Sequence, residues 1–143
     1  MLKPAREPWD SPDGRVLRDE LLATYRERLG CEPPAEVLAE HPQLLAWLVL
    51  RDETGAALGC GALCAPGELR RMYVRPAARG RGAGRALLCA LESEARAIGL
   101  EELTLHTTRA LSEARALYTS TGYETSRVVR RPDRVDEWMV KRL

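Results

Sequence analysis

The segment Val74-Arg75-Pro76-Ala77-Ala78-Arg79-Gly80-Arg81-Gly82-Ala83-Gly84-Arg85-Ala86-Leu87 joins the end of a strand pattern to the start of a helical one. Its glycines at 80, 82 and 84 let the main chain approach a ligand closely, and the first amides of a helix have no intrahelical acceptor. Arg79, Arg81 and Arg85 add positive charge. Together these features suit a pyrophosphate. A nucleoside triphosphate loop would close with Gly-Lys-Ser/Thr, whereas Arg85 and Ala86 stand in those places. A dinucleotide fingerprint would need a third glycine where Arg85 or Leu87 stands. Taken in isolation, an arginine-glycine run is equally an exposed loop or an RNA contact. Its setting speaks against that: the strand-like Glu68-Leu69-Arg70-Arg71-Met72-Tyr73-Val74 precedes it, and Leu88, Leu91, Ala95 and Ile98 follow at helical spacing.

What remains is Arg79-x-x-Gly82-x-Gly84, which resembles the Gln/Arg-x-x-Gly-x-Gly/Ala signature of the GNAT family of N-acetyltransferases. The resemblance runs from about Trp47 to Leu143, is strongest over Glu68 to Ala95, and is weak before residue 40. It implies that Arg79, Gly80, Arg81, Gly82, Ala83, Gly84 and Arg85 bind the diphosphate of acetyl-CoA. It also implies that the pantetheine arm pairs with main-chain groups at Met72 and Val74, where the strand splays from its neighbour. From the residues alone, Met72 and Val74 read as core positions.

Acyl transfer to an amine needs a neutral nucleophile, and a lysine-like ammonium with a pKa of about 10.4 is deprotonated only to about one part in a thousand near neutral pH. By resemblance, Glu68 matches a catalytic glutamate that takes the proton directly or through water. As a bare sequence feature it is equally an exposed strand-end charge. Ala114-Arg115-Ala116-Leu117-Tyr118-Thr119-Ser120-Thr121-Gly122-Tyr123 resembles the family element whose tyrosine lies near the cofactor sulfur, which makes Tyr118 the candidate acid for the departing thiolate. The chain departs from the pattern at Leu111, where many relatives carry Asn. No cysteine is paired in sequence with an activating histidine, so direct attack in a ternary complex is expected, without a covalent enzyme intermediate. The alternative from another class is a non-catalytic acyl-CoA sensor or interaction module.

The chain has 143 residues, 45% hydrophobic and 30% charged, with a net charge of +1. That composition fits one domain spanning 1–143 and gives no sign of a general nucleic-acid binder. No apolar run approaches a membrane span and the start lacks a signal-like stretch, so a cytoplasmic location is expected. Cys31, Cys60, Cys64 and Cys89 read as buried free thiols, with Cys60 and Cys64 on one face of a strand. His41 and His106 lack companions at ligand spacing, no metal site is expected, and His106 reads as structural. The partner expected is a small-molecule or peptide amine; a homodimer is common among relatives and nothing in this sequence demands one.

These residues must be held by strands at Lys3–Trp9, Ala46–Arg51, Ala57–Leu63, Glu68–Val74, Glu102–Thr107, Tyr123–Val129 and Glu137–Lys141. Helices are expected over a segment capped by Ser11 and closed by Gly30, over Ala35–Glu40, from Gly82 to Ile98, and over Ser112–Thr119. Asp52-Glu53-Thr54-Gly55 reads as a hairpin turn. The order is that of the family: a mixed α/β (α+β) fold whose central, mostly antiparallel sheet of about six to seven strands carries helices on both faces.

Overall fold

The expected helix after Ser11 forms over Pro12–Leu29 (α1): the Ser11 hydroxyl accepts a hydrogen bond from the Gly14 amide at 3.2 Å, Pro12 occupies the first turn, and Gly30 closes the helix at φ +67°. The computed structural model describes residues 1–33, 35 and 43–143. The expected Ala35–Glu40 helix, Ala35 aside, and His41 lie outside the described residues. Around α1 the chain forms β1 (Lys3–Arg6), β2 (Leu44–Arg51), β3 (Ala57–Cys64), β4 (Glu68–Val74) and a single 3₁₀ turn (Pro76–Ala78). Then come α2 (Ala83–Ala97), β5 (Glu102–Thr108), α3 (Ser112–Ser120), β6 (Glu124–Arg130) and β7 (Val135–Arg142). The first strand is shorter than expected because the chain leaves the sheet edge at Glu7, whose amide still donates to the Trp47 carbonyl, before Pro8.

The seven strands form one sheet in the order β1-β2-β3-β4-β5-β7-β6, antiparallel throughout except between β4 and β5. The run Leu-Leu-Ala-Trp-Leu-Val-Leu in β2 shows why little alternation is visible in sequence: both faces are covered. Ala46, Leu48 and Leu50 pack with Leu87 and Leu91 of α2, while Trp47 and Val49 pack with Leu17 of α1. Cys60 and Cys64 share the α1 face, as expected. All four cysteines are free, but Cys31 is half-buried and Cys89 exposed, contrary to the expectation of four buried thiols. Cys89 lies between Leu88 and Leu91 of the buried stripe in sequence, yet the helical turn carries it to the solvent side.

On β3, glycine allows the close seating of α2. A Cβ at Gly59 would lie 2.6 Å from the Tyr73 carbonyl oxygen and 3.1 Å from Leu87 Cδ1. The carbonyl belongs to the paired strand and has little freedom to move. Gly59→Ala is therefore expected to destabilise the fold by about 1–3 kcal/mol, the range for overpacking, measurable by chemical denaturation; an unchanged midpoint would show that β3 and β4 separate freely.

Candidate active site

The site begins with a bulge in β4. Cys60 pairs with Tyr73 and Ala62 with Arg70, so Arg71 and Met72 together face the single residue Gly61, and Arg71 takes φ +57°. Beyond the bulge the Arg75 amide donates to Leu58 of β3 at 2.8 Å. Strand alternation then turns the main-chain polar groups of Met72 and Val74 to the opposite edge. There β5 has already diverged, because its pairing with β4 stops after Glu68↔Thr104 and Leu69↔Leu105. The result is an open strand edge within the sheet, suited to strand addition by an amide-bearing arm. Arg79 Nε donates to the Val74 carbonyl at 3.1 Å and so covers one acceptor of that edge. The side chains of Met72 and Val74 pack against the core under α2, so the core reading holds for the side chains while their backbone borders the groove.

At the end of this edge the chain turns through Gly80 and Gly82, at φ +77° and +78°, into α2. The helix ladder starts with the Ala86 amide donating to the Gly82 carbonyl, and the amides of residues 80 to 85 have no backbone acceptor among the described residues. Arg79, Gly80, Gly82, Ala83, Gly84 and Arg85 border a groove of about 420 Å³. No heavy atom lies within 4 Å of a Cβ built at Gly80 or Gly82. This is the geometry a diphosphate needs. Gly84 has a different reason to lack a side chain: its Cβ would sit 2.8 Å from Leu117 Cδ2, so it serves the contact between α2 and α3. Arg81 does not border the groove; its charge contributes, as a minor part, to holding the Asp52 carboxyl low, an effect led by the Thr54 hydroxyl.

Leu21, Thr24 and Arg28 of α1 form one wall of the groove, and Leu111, Glu113, Ala114, Leu117 and Tyr118 the other. Arg28 and Glu113 join the walls through a paired ion contact at 3.0 Å. The groove shares Leu21, Met72, Leu111, Ala114 and Tyr118 with a smaller cavity of about 110 Å³ on the α1 side of the sheet, lined further by Tyr25, Glu68, Arg70, Arg71 and His106. Tyr118 thus stands where the two meet. It is 7% exposed, burial pushes its phenol up to about 12, and its hydroxyl has no hydrogen-bond partner among the described residues. Leu111, at the position of the family's Asn, makes this junction apolar.

Glu68 lines the smaller cavity and forms an ion pair with Arg70, both side chains being mostly buried. Beyond it lies a denser polar cluster. Asp136 is fully buried; burial alone would raise its carboxyl, but Arg131, Thr108, Arg134 and His106 outweigh it and hold the group below the ordinary range. Glu137 is likewise buried and held low against its desolvation by Arg115, with Thr125 and Arg109. His106 stands 3.4 Å from Asp136 and edge-on to Trp138, in keeping with a structural role. Among the described residues no His, Cys, Asp or Glu cluster could hold a metal ion, and no helix is long and apolar enough to cross a membrane.

From the sequence the first helices are expected to shape the acceptor side, but no α1 residue is singled out. Leu21 and Tyr25 read only as members of an apolar helical stripe, and no local motif marks either as bordering a cavity; the one signal was a phenol hydroxyl in an otherwise hydrocarbon row.

Residues 14–123 match the model of the acetyltransferase (GNAT) family, and the chain belongs to that family. It is 33% identical over 129 residues to an uncharacterised N-acetyltransferase of Schizosaccharomyces pombe, a match covering 83% of this chain and 79% of that protein. It is 42% identical over 84 residues to an IAA acetyltransferase of Azospirillum brasilense, covering 55% of this chain and about half, 54%, of that relative. Among solved structures, a candidate acyl-CoA N-acyltransferase from Klebsiella pneumoniae superimposes with a TM-score of 0.80 at 30% identity, over 100% of this chain and 98% of the other.

Proposed function

We propose that the protein is an N-acyltransferase that moves an acetyl group from acetyl-CoA to a primary amine by direct attack. One observation carries this reading: the unpartnered amides of residues 80 to 85, the open edge of β4 and the buried Tyr118 hydroxyl border one continuous groove, which opens at Tyr118 into a second cavity. The thioester supplies the activated acyl group and a thiolate leaving group. The residues do the rest. Amides of the turn hold the diphosphate, with Arg79 and Arg85 adding charge. The edge at Met72 and Val74 sets the depth and direction of the arm. Tyr118 donates its proton, or a hydrogen bond, to the sulfur as charge develops there. Glu68 faces the cavity from which the amine approaches, and its carboxylate is already engaged by Arg70. We therefore assign it the relay of a proton through water.

The engaged Glu68 is the single feature that favours the sensor alternative. Release of free thiol from acetyl-CoA in the presence of an amine panel separates the two: a transferase is expected to turn over many equivalents with at least one amine. Binding without consumption of the thioester by any amine would leave only the sensor.

A further inference from the structure

One ion pair of the groove joins helices that lie on opposite faces of the sheet. Leu17 and Leu21 of α1 pack with Trp47 and Val49, whereas Leu117 and Tyr118 of α3 pack with α2 on the other side. Side chains from the two faces can meet only past a strand end or where strands part. Arg28 of α1 and Glu113 of α3 do so through two hydrogen bonds of 3.0 Å, from Nη1 to Oε2 and from Nη2 to Oε1. Both residues border the groove along the freed edge of β4, so the contact spans it from wall to wall.

The charges along the groove give this contact a second meaning. Among the described residues its lining carries three guanidiniums, Arg28, Arg79 and Arg85, and one carboxylate, Glu113. Arg79 and Arg85 donate to neutral groups, the Val74 carbonyl and the Ser120 hydroxyl. Glu113 is held below the ordinary carboxylate range chiefly by Arg28, with a smaller contribution from Arg79 of the glycine turn. The carboxylate thus lies in the field of the same turn that is suited to a diphosphate. On the acetyl-CoA reading above, we propose that Arg28 is a phosphate-binding residue, and that Glu113 occupies its guanidinium until a phosphate of the incoming molecule takes the carboxylate's place. The forked donors of a guanidinium fit a phosphate as they fit a carboxylate. Both side chains are exposed, where an ion pair is weak and open to exchange. Arg28 stays charged and paired before and after. Glu113, in the first turn of α3, keeps the favourable field of the helix start when Arg28 leaves it.

Isothermal titration with CoA tests this, because the two partners have opposite roles. Arg28→Gln should raise the Kd about tenfold, through loss of a charge-assisted contact. Glu113→Gln should lower it about two- to fivefold, through removal of the competitor. Arg28→Lys keeps the charge but not the fork of donors, and should raise the Kd about threefold. The denaturation midpoints should stay near that of the wild type, since neither side chain is part of the core. A bridge that serves the fold alone would leave both Gln variants unchanged or move them in the same direction, and either result overturns the proposal. Wild-type affinity in Arg28→Lys overturns it too, since a general field of charge would then suffice. Dephospho-CoA identifies the phosphate: a loss in Arg28→Gln that persists with it assigns the contact to the diphosphate, and a loss that vanishes assigns it to the 3′-phosphate. If the wild-type protein binds neither molecule, the acetyl-CoA reading itself fails and takes this proposal with it.

Discussion

Tyr118→Phe is expected to lower kcat about a hundredfold, the lower end of what a positioned general acid contributes, while leaving the Kd for CoA and the denaturation midpoint almost unchanged. The separation follows from the environment of the hydroxyl. It has no partner among the described residues, so removing it breaks no hydrogen bond to any of them. An acid near 12 is a poor match for an ordinary thiol near 8.5. The buried thiols of this same protein show what desolvation does to sulfur: Cys60 is pushed up to about 12 and Cys64 to about 11, burial leading in both. In an equally dry site the leaving thiolate and the phenol come close in proton affinity, and transfer becomes practicable. Because the folded pKa of Tyr118 lies above the unfolded value, the stability linked to its neutral form is complete below about pH 10 and is lost as pH rises toward 12. The pH profile of kcat/KM should accordingly rise as the amine loses its proton, with no falling limb from Tyr118 below about pH 10. A variant with wild-type kcat, or a Tyr118-dependent fall near neutrality, would remove this residue from the chemistry.

Gly82→Val is expected to weaken CoA binding about a hundredfold. Gly82 sits at φ +78° immediately before α2, in a region that a β-branched residue occupies only with strain of about 1–3 kcal/mol. Relieving that strain rotates the peptides of the turn. Each amide hydrogen bond to a charged group is worth about 1.5–3 kcal/mol, so misaligning two of them accounts for the loss. Isothermal titration with CoA measures it directly. Arg81→Ala is the comparison: its side chain lies outside the groove, and a near-normal affinity is expected. If Arg81→Ala weakened binding as much as Gly82→Val, side-chain charge rather than backbone geometry would dominate the cradle.

The cradle was legible in sequence because its chemistry is local. Gly80 and Gly82 are required by their own φ angles, and the free amides belong to a helix start that Leu88, Leu91 and Ala95 announce by spacing. Gly84 was readable as part of the motif, but its clash with Leu117 belongs to α3, more than thirty positions further along the chain. Glu68 and Tyr118 were named from resemblance; that one is engaged by Arg70 and the other lacks a partner among the described residues depends on neighbours that no spacing specifies.

The order of strands and helices, the glycine turn and the absence of a Cβ at Gly80 and Gly82 are written in short stretches of chain, since backbone dihedrals and helix caps depend on a few consecutive residues. Burial, charge pairing and cavity shape depend on what packs across the sheet. For that reason only the folded chain placed Tyr25 around one cavity with Glu68, divided β4 from β5 to expose its edge, and left the Tyr118 hydroxyl without a partner among the described residues where the groove and the cavity meet.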